Sequence, residues 1–259
     1  MASEKLKIDA RRRRILEILS AEGQVRVADL SARLAATPVT IRSDLDALER
    51  DGFLERIQGG AVQTVKNYYN LDFLQRKQEG GAVKKHLAAA VADMIRDGDT
   101  LFINSGTTTY FVAMELKKRK NLNIVTNSLS VAVELGAHPT FRVLLLGGDI
   151  NAQYAFTYGP DAQEQLKKYR ADYAILSMDG VCPSTGLTTY HAEEAVMDLL
   201  MIERSKKAIV AAESRKIGRA GFSRVCGVEG VQCLVTDGGA DRDALSRLRA
   251  LGIEVRMNG

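Results

Sequence analysis

The chain has 259 residues, 46% apolar and 26% charged, the balance of an ordinary globular protein. Lysine and arginine outnumber aspartate and glutamate by 36 to 32, and the net charge of +4 permits an acidic partner without requiring one. No apolar run approaches the roughly 20 residues needed to cross a bilayer, and the start MASEKLKIDARRRR has no apolar segment behind it; no membrane association is expected, and the expected location is cytoplasmic.

In chain order, Asp9 reads as the N-cap of a helix whose apolar face is Ile15, Leu16 and Leu19, and Gly23 closes it. Val27, Leu30 and Leu34 mark a second, shorter helix. TPVTIRSDL, residues 37–45, places a proline where a third helix is due. Proline is tolerated at the first helical position, where its missing N–H has no partner to lose, so Thr37 is the expected cap and Pro38 the first residue. Ile41, Leu45 and Leu48 carry that helix to Asp51-Gly52. FLERIQGGAV then alternates around Gly59-Gly60, the pattern of a hairpin turned at the glycine pair. Three helices and a hairpin within about 60 residues predict a small winged helix-turn-helix domain, residues 1–64.

Residues 65–80 are polar, hold Tyr68, Tyr69 and Phe73, and keep no sustained period; they are expected to be a linker. From 81 to 259 the rhythm changes. Val83, Leu87, Val91 and Ile95 predict a helix. TLFIN, LNIVT, FRVLLL, DYAILS, KAIVAA and CLVTD are short apolar runs suited to buried parallel strands. TTTYFVAMELKK, DAQEQLKKY, EEAVMDLLMIERS and DRDALSRLRAL are the helical stretches between them. This alternation predicts a larger α/β layered domain with a mostly parallel sheet.

Two places carry chemistry. The first turns of the third helix offer Thr37, Thr40, Arg42 and Ser43, hydroxyls and a guanidinium suited to phosphates and base edges of double-stranded DNA. Asp44 is expected to serve its own helix N-terminus, and Arg56 to lay the wing on the DNA backbone. Arg11 to Arg14 point around a helix, so only some could reach one strand. In the larger domain, DGDTLFINSGTTTYF runs a strand through Asn104, Ser105, Gly106, Thr107 and Thr108 into a helix, a candidate phosphate cradle without the lysine of a nucleotide P-loop. Further strand ends bring Asn127, Gly147, Gly148, Asp179, Arg215 and Lys216, and ligands of open parallel sheets bind outside such ends. A phosphorylated sugar suits a site with a phosphate end and a hydroxyl end. Cys182, Cys226 and Cys233 lack paired or metal-ligand spacing, and His191 beside Glu193 and Glu194 has no second histidine, so neither disulfide nor metal nor other cofactor is expected.

RILEIL, VRVADLSARL, TIRSDLDALERDGFLER, GDTLFINSGTTT, NLNIVTNSL, LLLGG, Tyr158-Gly159-Pro160, Ala171-Asp172 and ESRKIG, in this order, resemble the DeoR family of bacterial transcription regulators over roughly residues 10–240. The resemblance implies an operator-binding repressor of a sugar or nucleoside utilisation operon, a sugar-phosphate effector held in a domain similar to ribose-5-phosphate isomerase, and a homo-oligomer. It puts Thr40 and Arg42 in the recognition helix, Ser105 to Thr108 in the phosphate loop and Lys216 in the late lysine motif. The chain departs from the family's usual pattern at Ser43, at Gln58 in the wing, at Asn104 in place of aspartate, and at Glu213-Ser214-Arg215-Lys216. Losing a carboxylate and adding Arg215 is expected to favour a more anionic ligand, such as a bisphosphate. The alternative, a sugar-phosphate isomerase with an appended DNA-binding domain, needs a base such as Asp179, Glu193 or Glu194 near Lys216. AEEAVMDLL reads instead as an amphipathic helix with its glutamates in solvent, so no catalytic residue is expected.

Overall fold

The computed structural model describes residues 10–50, 53–63 and 73–257. Asp9, Asp51-Gly52, Tyr68 and Tyr69 lie outside the described residues. The chain divides into two compact units, residues 1–80 and 81–259.

Local signals set the small unit. Helix α1 spans Ala10–Glu22, α2 Val27–Arg33 and α3 Pro38–Arg50. Gly23, at φ +71°, ends the first in a left-handed conformation. Pro38 opens α3 as its sequence predicts, and the Thr37 hydroxyl accepts from the Thr40 N–H at 3.2 Å. Ile15, Leu19, Leu30, Ile41, Leu45 and Leu48 close into one buried core.

Two features differ from the sequence expectation. Strand β1 (Gln24–Arg26) was not predicted; its three residues are too few to show a period, yet it pairs antiparallel with β3 (Gly60–Gln63), which also pairs with β2 (Leu54–Ile57). The hairpin turns at Gln58-Gly59, not at Gly59-Gly60, because Gly60 is already opposite Ile57 in the ladder. Each glycine answers a separate constraint. Gly59 has φ +80°, whereas a Cβ at Gly60 would lie 2.0 Å from the Val25 carbonyl oxygen. Within the stretch expected to be a linker, Phe73–Gln78 forms a helix, α4, and Phe73 is buried.

Asp44 corrects another expectation. It is buried, and its carboxylate takes hydrogen bonds from Arg11 Nε, from Arg11 Nη2 at 3.3 Å and from Arg12 Nε at 3.0 Å. The acid therefore joins α1 to α3 rather than serving its own helix end, and two of the four consecutive arginines are turned inward to it.

The large unit begins with α5 (Gly81–Ala92) and β4 (Thr100–Ile103), followed by α6 (Thr107–Leu116), β5 (Asn123–Thr126), α7 (Leu129–Gly136) and β6 (Arg142–Leu145). A two-stranded arm, β7 (Asp149–Asn151) and β8 (Phe156–Tyr158), leads to α8 (Pro160–Leu166) and β9 (Ala171–Leu176). Then come β10 (Gly180–Cys182), β11 (Gly186–Thr189), α9 (Ala192–Glu203) and β12 (Ser205–Ala211). The described chain closes with β13 (Ser223–Cys226), β14 (Cys233–Thr236), α10 (Arg242–Ala250) and β15 (Glu254–Met257).

Seven strands form one parallel sheet in the order β15-β14-β12-β9-β4-β5-β6. Alternate residues of each strand serve its two faces. Leu101, Ile103, Ile124 and Ile209 pack with α5, α6 and α7. Phe102, Leu176, Ala208 and Val210 pack with α8, α9 and α10. The order reverses between β4 and β9, so the crevice at their carboxyl ends is where such a sheet binds ligands. At the opposite ends Asp172 ties the same two strands, accepting from the Thr100 N–H at 3.0 Å and hydroxyl at 2.6 Å. With Lys206 Nζ at 2.7 Å, the bonds from Lys206 and Thr100 hold this carboxyl down at about 2. A second sheet, β10-β11-β13, is antiparallel, and no helix among the described residues is long and apolar enough to cross a membrane.

Burial opposes charge on Asp44, but the hydrogen bonds and charges of Arg11 and Arg12 outweigh it and lower its pKa. A depressed folded pKa stabilises above the unfolded value, about 3.9, and that stabilisation disappears as pH falls through the folded value. Asp44→Asn should therefore cost about 2 kcal/mol at pH 7 and markedly less at pH 3. Amide hydrogen exchange of α1 and α3 in the full chain measures the difference.

Candidate functional site

On α3 the buried residues are Ile41, Asp44, Leu45, Ala47 and Leu48, which leaves Arg42 and Ser43 exposed and Thr40 half-buried. Thr37 is exposed, but its hydroxyl is spent on the cap and lies 2.8 Å from that of Thr40. Gln58 is exposed at the tip of the hairpin. Arg56 is not free in the same way. Its Nε donates to the Gly60 carbonyl at 3.1 Å, its Nη1 to the Arg42 carbonyl at 3.2 Å, and Nη1 also pairs with Asp46. The side chain expected to lie on DNA instead braces the hairpin against α3.

In the large unit, Asn104 follows β4 directly and is wholly buried. Its Oδ1 accepts from the Ser177 N–H at 3.0 Å, and its Nδ2 donates to the Ser177 carbonyl at 3.1 Å and to Asp198 Oδ1 at 2.9 Å. The amide is thus a clamp across the β4–β9 switch point rather than a free ligand group. Gly106 follows because Ser177 leaves no room: a Cβ there would lie 2.1 Å from Ser177 Oγ. The Thr109 hydroxyl is 3.0 Å from the Asn104 carbonyl and 3.1 Å from that of Gly106, fixing the loop from the helix side. Helix α6 has Gly106 as its N-cap and so no side-chain cap, with Ser105, Thr107 and Thr108 at its mouth. Its first-turn N–H groups and dipole favour an anion there.

Beside this mouth stands a carboxylate pair. Ser105 Oγ donates to Glu194 Oε1 at 2.7 Å. The Thr189 hydroxyl lies 2.7 Å from Glu194 Oε2 and 3.1 Å from Asp179 Oδ2, and its single proton can serve only one of them at a time. The Tyr190 N–H donates to Asp179 Oδ2 at 2.9 Å, and Lys216 Nζ stands 3.6 Å from Asp179 Oδ1. Arg215 Nη2 is 3.1 Å from Glu213 Oε1, and the fully buried Lys84 brings its Nζ to 3.7 Å from the same oxygen. Glu213 is thus one carboxylate shared between two cations.

Behind the pair, Asp198 is completely buried; its Oδ1 takes the Asn104 bond and its Oδ2 has no hydrogen-bond partner among the described residues. Burial, then the nearby charge of Glu194, push this carboxyl well above the usual range against the opposing Asn104 bond.

The structure gathers Asn104, Ser105, Gly106, Thr107, Thr108, Asp179 and Lys216 at the carboxyl ends of β4, β9 and β12, while Arg215 is paired with Glu213. Asn127, Gly147 and Gly148 have other engagements. Asn127 Nδ2 donates to the Thr157 carbonyl at 3.2 Å, Gly147 N–H to Gln165 Oε1 at 2.9 Å, and a Cβ on Gly148 would meet the Tyr158 carbonyl oxygen at 2.3 Å. These three hold the arm β7–β8 and helix α8 to the sheet. Cavities of about 320 Å³, lined by Tyr173, Lys207 and Glu254, and 200 Å³, lined by Thr100, Asn123 and Ala171, lie at the opposite strand ends.

Asp198, Thr189 and Lys84 escaped the sequence analysis, and Glu194 entered it only as a candidate base expected in solvent. Glu193 is exposed as expected, but Glu194 is turned inward, contrary to the expectation of a solvated pair. Asp198 is four residues after Glu194, one helical turn, so that spacing was the available signal. Thr189 sits on β11, whose hairpin with β10 was announced by Pro183-Ser184-Thr185-Gly186 between two apolar residues. His191 lies among rings, 4.3 Å from Tyr154 and 5.1 Å from Tyr190.

Residues 11–66 match the DeoR-like helix-turn-helix domain, and residues 81–238 match the DeoR C terminal sensor domain. The putative aga operon transcriptional repressor of Escherichia coli O157:H7 is 30% identical over 96% of this chain and 93% of its own. The glycerol-3-phosphate regulon repressor of Escherichia coli K12 is 30% identical over 86% of this chain and 88% of its own. Ribose 5 phosphate isomerase A from Neisseria gonorrhoeae aligns over 58% of this chain and 56% of its own, at 15% identity and a TM-score of 0.40, a likeness too distant to bear on function.

A carboxyl whose folded pKa is raised stabilises below its unfolded value and costs stability as pH climbs from there toward the folded value. Asp198→Asn keeps the acceptor for Asn104 without that cost. Relative to the parent chain, the variant should gain thermal stability between pH 5 and pH 8; a constant difference across that range would show that Asp198 is charged.

Proposed function

Because this chain belongs to the DeoR family of transcription regulators, we propose that it represses a sugar or nucleoside utilisation operon under the control of one phosphorylated sugar. In this proposal residues 1–64 bind operator DNA, residues 65–80 link the domains, and residues 81–259 hold the effector. The observation that carries the effector is the start of α6, which has no side-chain cap and has Ser105, Thr107 and Thr108 beside its first-turn N–H groups. The sugar end meets Glu194, Asp179 and Thr189, whose oxygens accept from hydroxyl groups, while Lys216 offsets the charge of Asp179. The relative named for a glycerol-3-phosphate regulon supports the same ligand class.

On the DNA side, Arg42 and Ser43 stand on the open face of α3, with Thr40 at its edge and Gln58 at the wing tip. Two copies would read half-sites about one helical turn, or a multiple, apart. The effector alters repression by binding the DNA-competent and DNA-incompetent states unequally.

Two measurements on one duplex, taken from upstream of this gene, test the scheme. Arg42→Ala should weaken binding at least tenfold and, where the guanidinium grips a phosphate, flatten the salt slope by about one. Gly106→Ala should leave DNA affinity intact but abolish its response to a panel of sugar monophosphates. If no member of the panel changes the affinity of the parent chain, the effector assignment falls.

A further inference from the structure

Among the described residues of the small unit, one large apolar side chain is mostly in the open: Val39, 72% exposed, on the first turn of α3. Its neighbours on the helix surface are telling. At about 100° per residue, Val39, Arg42, Ser43 and Asp46 share an arc of about 100°, directly opposite the buried Ile41, Asp44, Leu45 and Leu48. Asp46 on this arc is paired with Arg56, so its charge is answered from within the domain. The face offered to a duplex thus has an arginine, a hydroxyl and, at its leading end, a branched apolar group that contributes nothing to the core.

Resting on the DNA-binding role of this helix-turn-helix, we infer that Val39 reads the C5 methyl group of a thymine in the major groove. That methyl is the apolar feature of the groove's edge, and cytosine carries only a hydrogen at the same position. Valine is suited to the task because branching at Cβ restricts its side chain, so its methyl groups are held in a fixed direction. Helical side chains also lean toward the N-terminus, which carries Val39 ahead of Arg42 into the groove. Val39 selects one base, while Arg42 supplies charge and hydrogen bonds.

The test removes one methyl group from each side. Duplexes are first selected by the full chain from a pool with a randomised core, and every thymine of the selected site is then replaced singly by deoxyuridine. At one thymine for each recognition helix, affinity of the parent chain should fall about three- to fivefold, the worth of one buried methyl group. Val39→Ala should bind the thymine and deoxyuridine duplexes equally, whereas Arg42→Ala should retain the difference. Because Val39 is exposed, the thermal melting of Val39→Ala should match the parent. The inference is overturned if no thymine shows this loss, or if Val39→Ala shows the same loss as the parent. A pool that yields no preferred sequence overturns the DNA-binding reading itself, and this inference with it.

Discussion

The buried amide of Asn104 is the point on which the large unit's site depends. A parallel sheet whose strand order reverses has a cleft between two strands that lead into different connections, here β4 and β9. Asn104 spans that cleft, giving two N–H bonds and accepting one, so both strand ends are held in register beyond the last ladder bond. A carboxylate there could accept from the Ser177 N–H but not donate to the Ser177 carbonyl. Through the same amide the clamp reaches Asp198 on α9, and so positions the helix that carries Glu194 into the site. The absence of a side chain at Gly106 lets Ser177 close against the loop, and the start of α6 is fixed by those two contacts.

A second constraint recurs in both units: cations are matched to carboxylates inside the fold before any ligand arrives. Asp44 holds Arg11 and Arg12, Asp46 holds Arg56, Glu213 faces Lys84 and Arg215, and Asp179 faces Lys216. Pairing at partly buried positions limits desolvation cost and fixes side-chain direction. It also separates residues that shape a binding face from those that present themselves on it. Arg56 shapes the face of α3, and Arg42 is on it. Arg215 belongs to an ion-pair set, whereas Ser105, Thr107 and Thr108 border the helix mouth.

The architecture thereby places two chemistries at the ends of elements rather than in their interiors. The leading end of α3 is exposed because its opposite side is consumed by the core, and the start of α6 is uncapped because a glycine was needed for close approach. In each case packing determines which polar groups remain available.

Much of this was already legible in the amino-acid order, for a local reason. Thr37-Pro38, Gly23, the three-and-four spacing of Ile41, Leu45 and Leu48, and the short apolar strand runs act within a few residues, so they specify helices, strands and their order without knowledge of the fold. The Asn104–Thr108 loop was visible because a strand, a glycine and a helix start are adjacent in sequence. Tertiary structure alone decided the rest. Asp44 meets arginines 32 and 33 residues away, Asn104 meets Asp198 across 94 residues, and Ser105 meets Glu194 across 89. Strand β1 and helix α4 are too short to announce themselves by period, and β1 exists because β3 pairs with it. Whether a charged side chain is a tether or a ligand group depends on which distant partner the fold brings to it, and no local spacing carries that information.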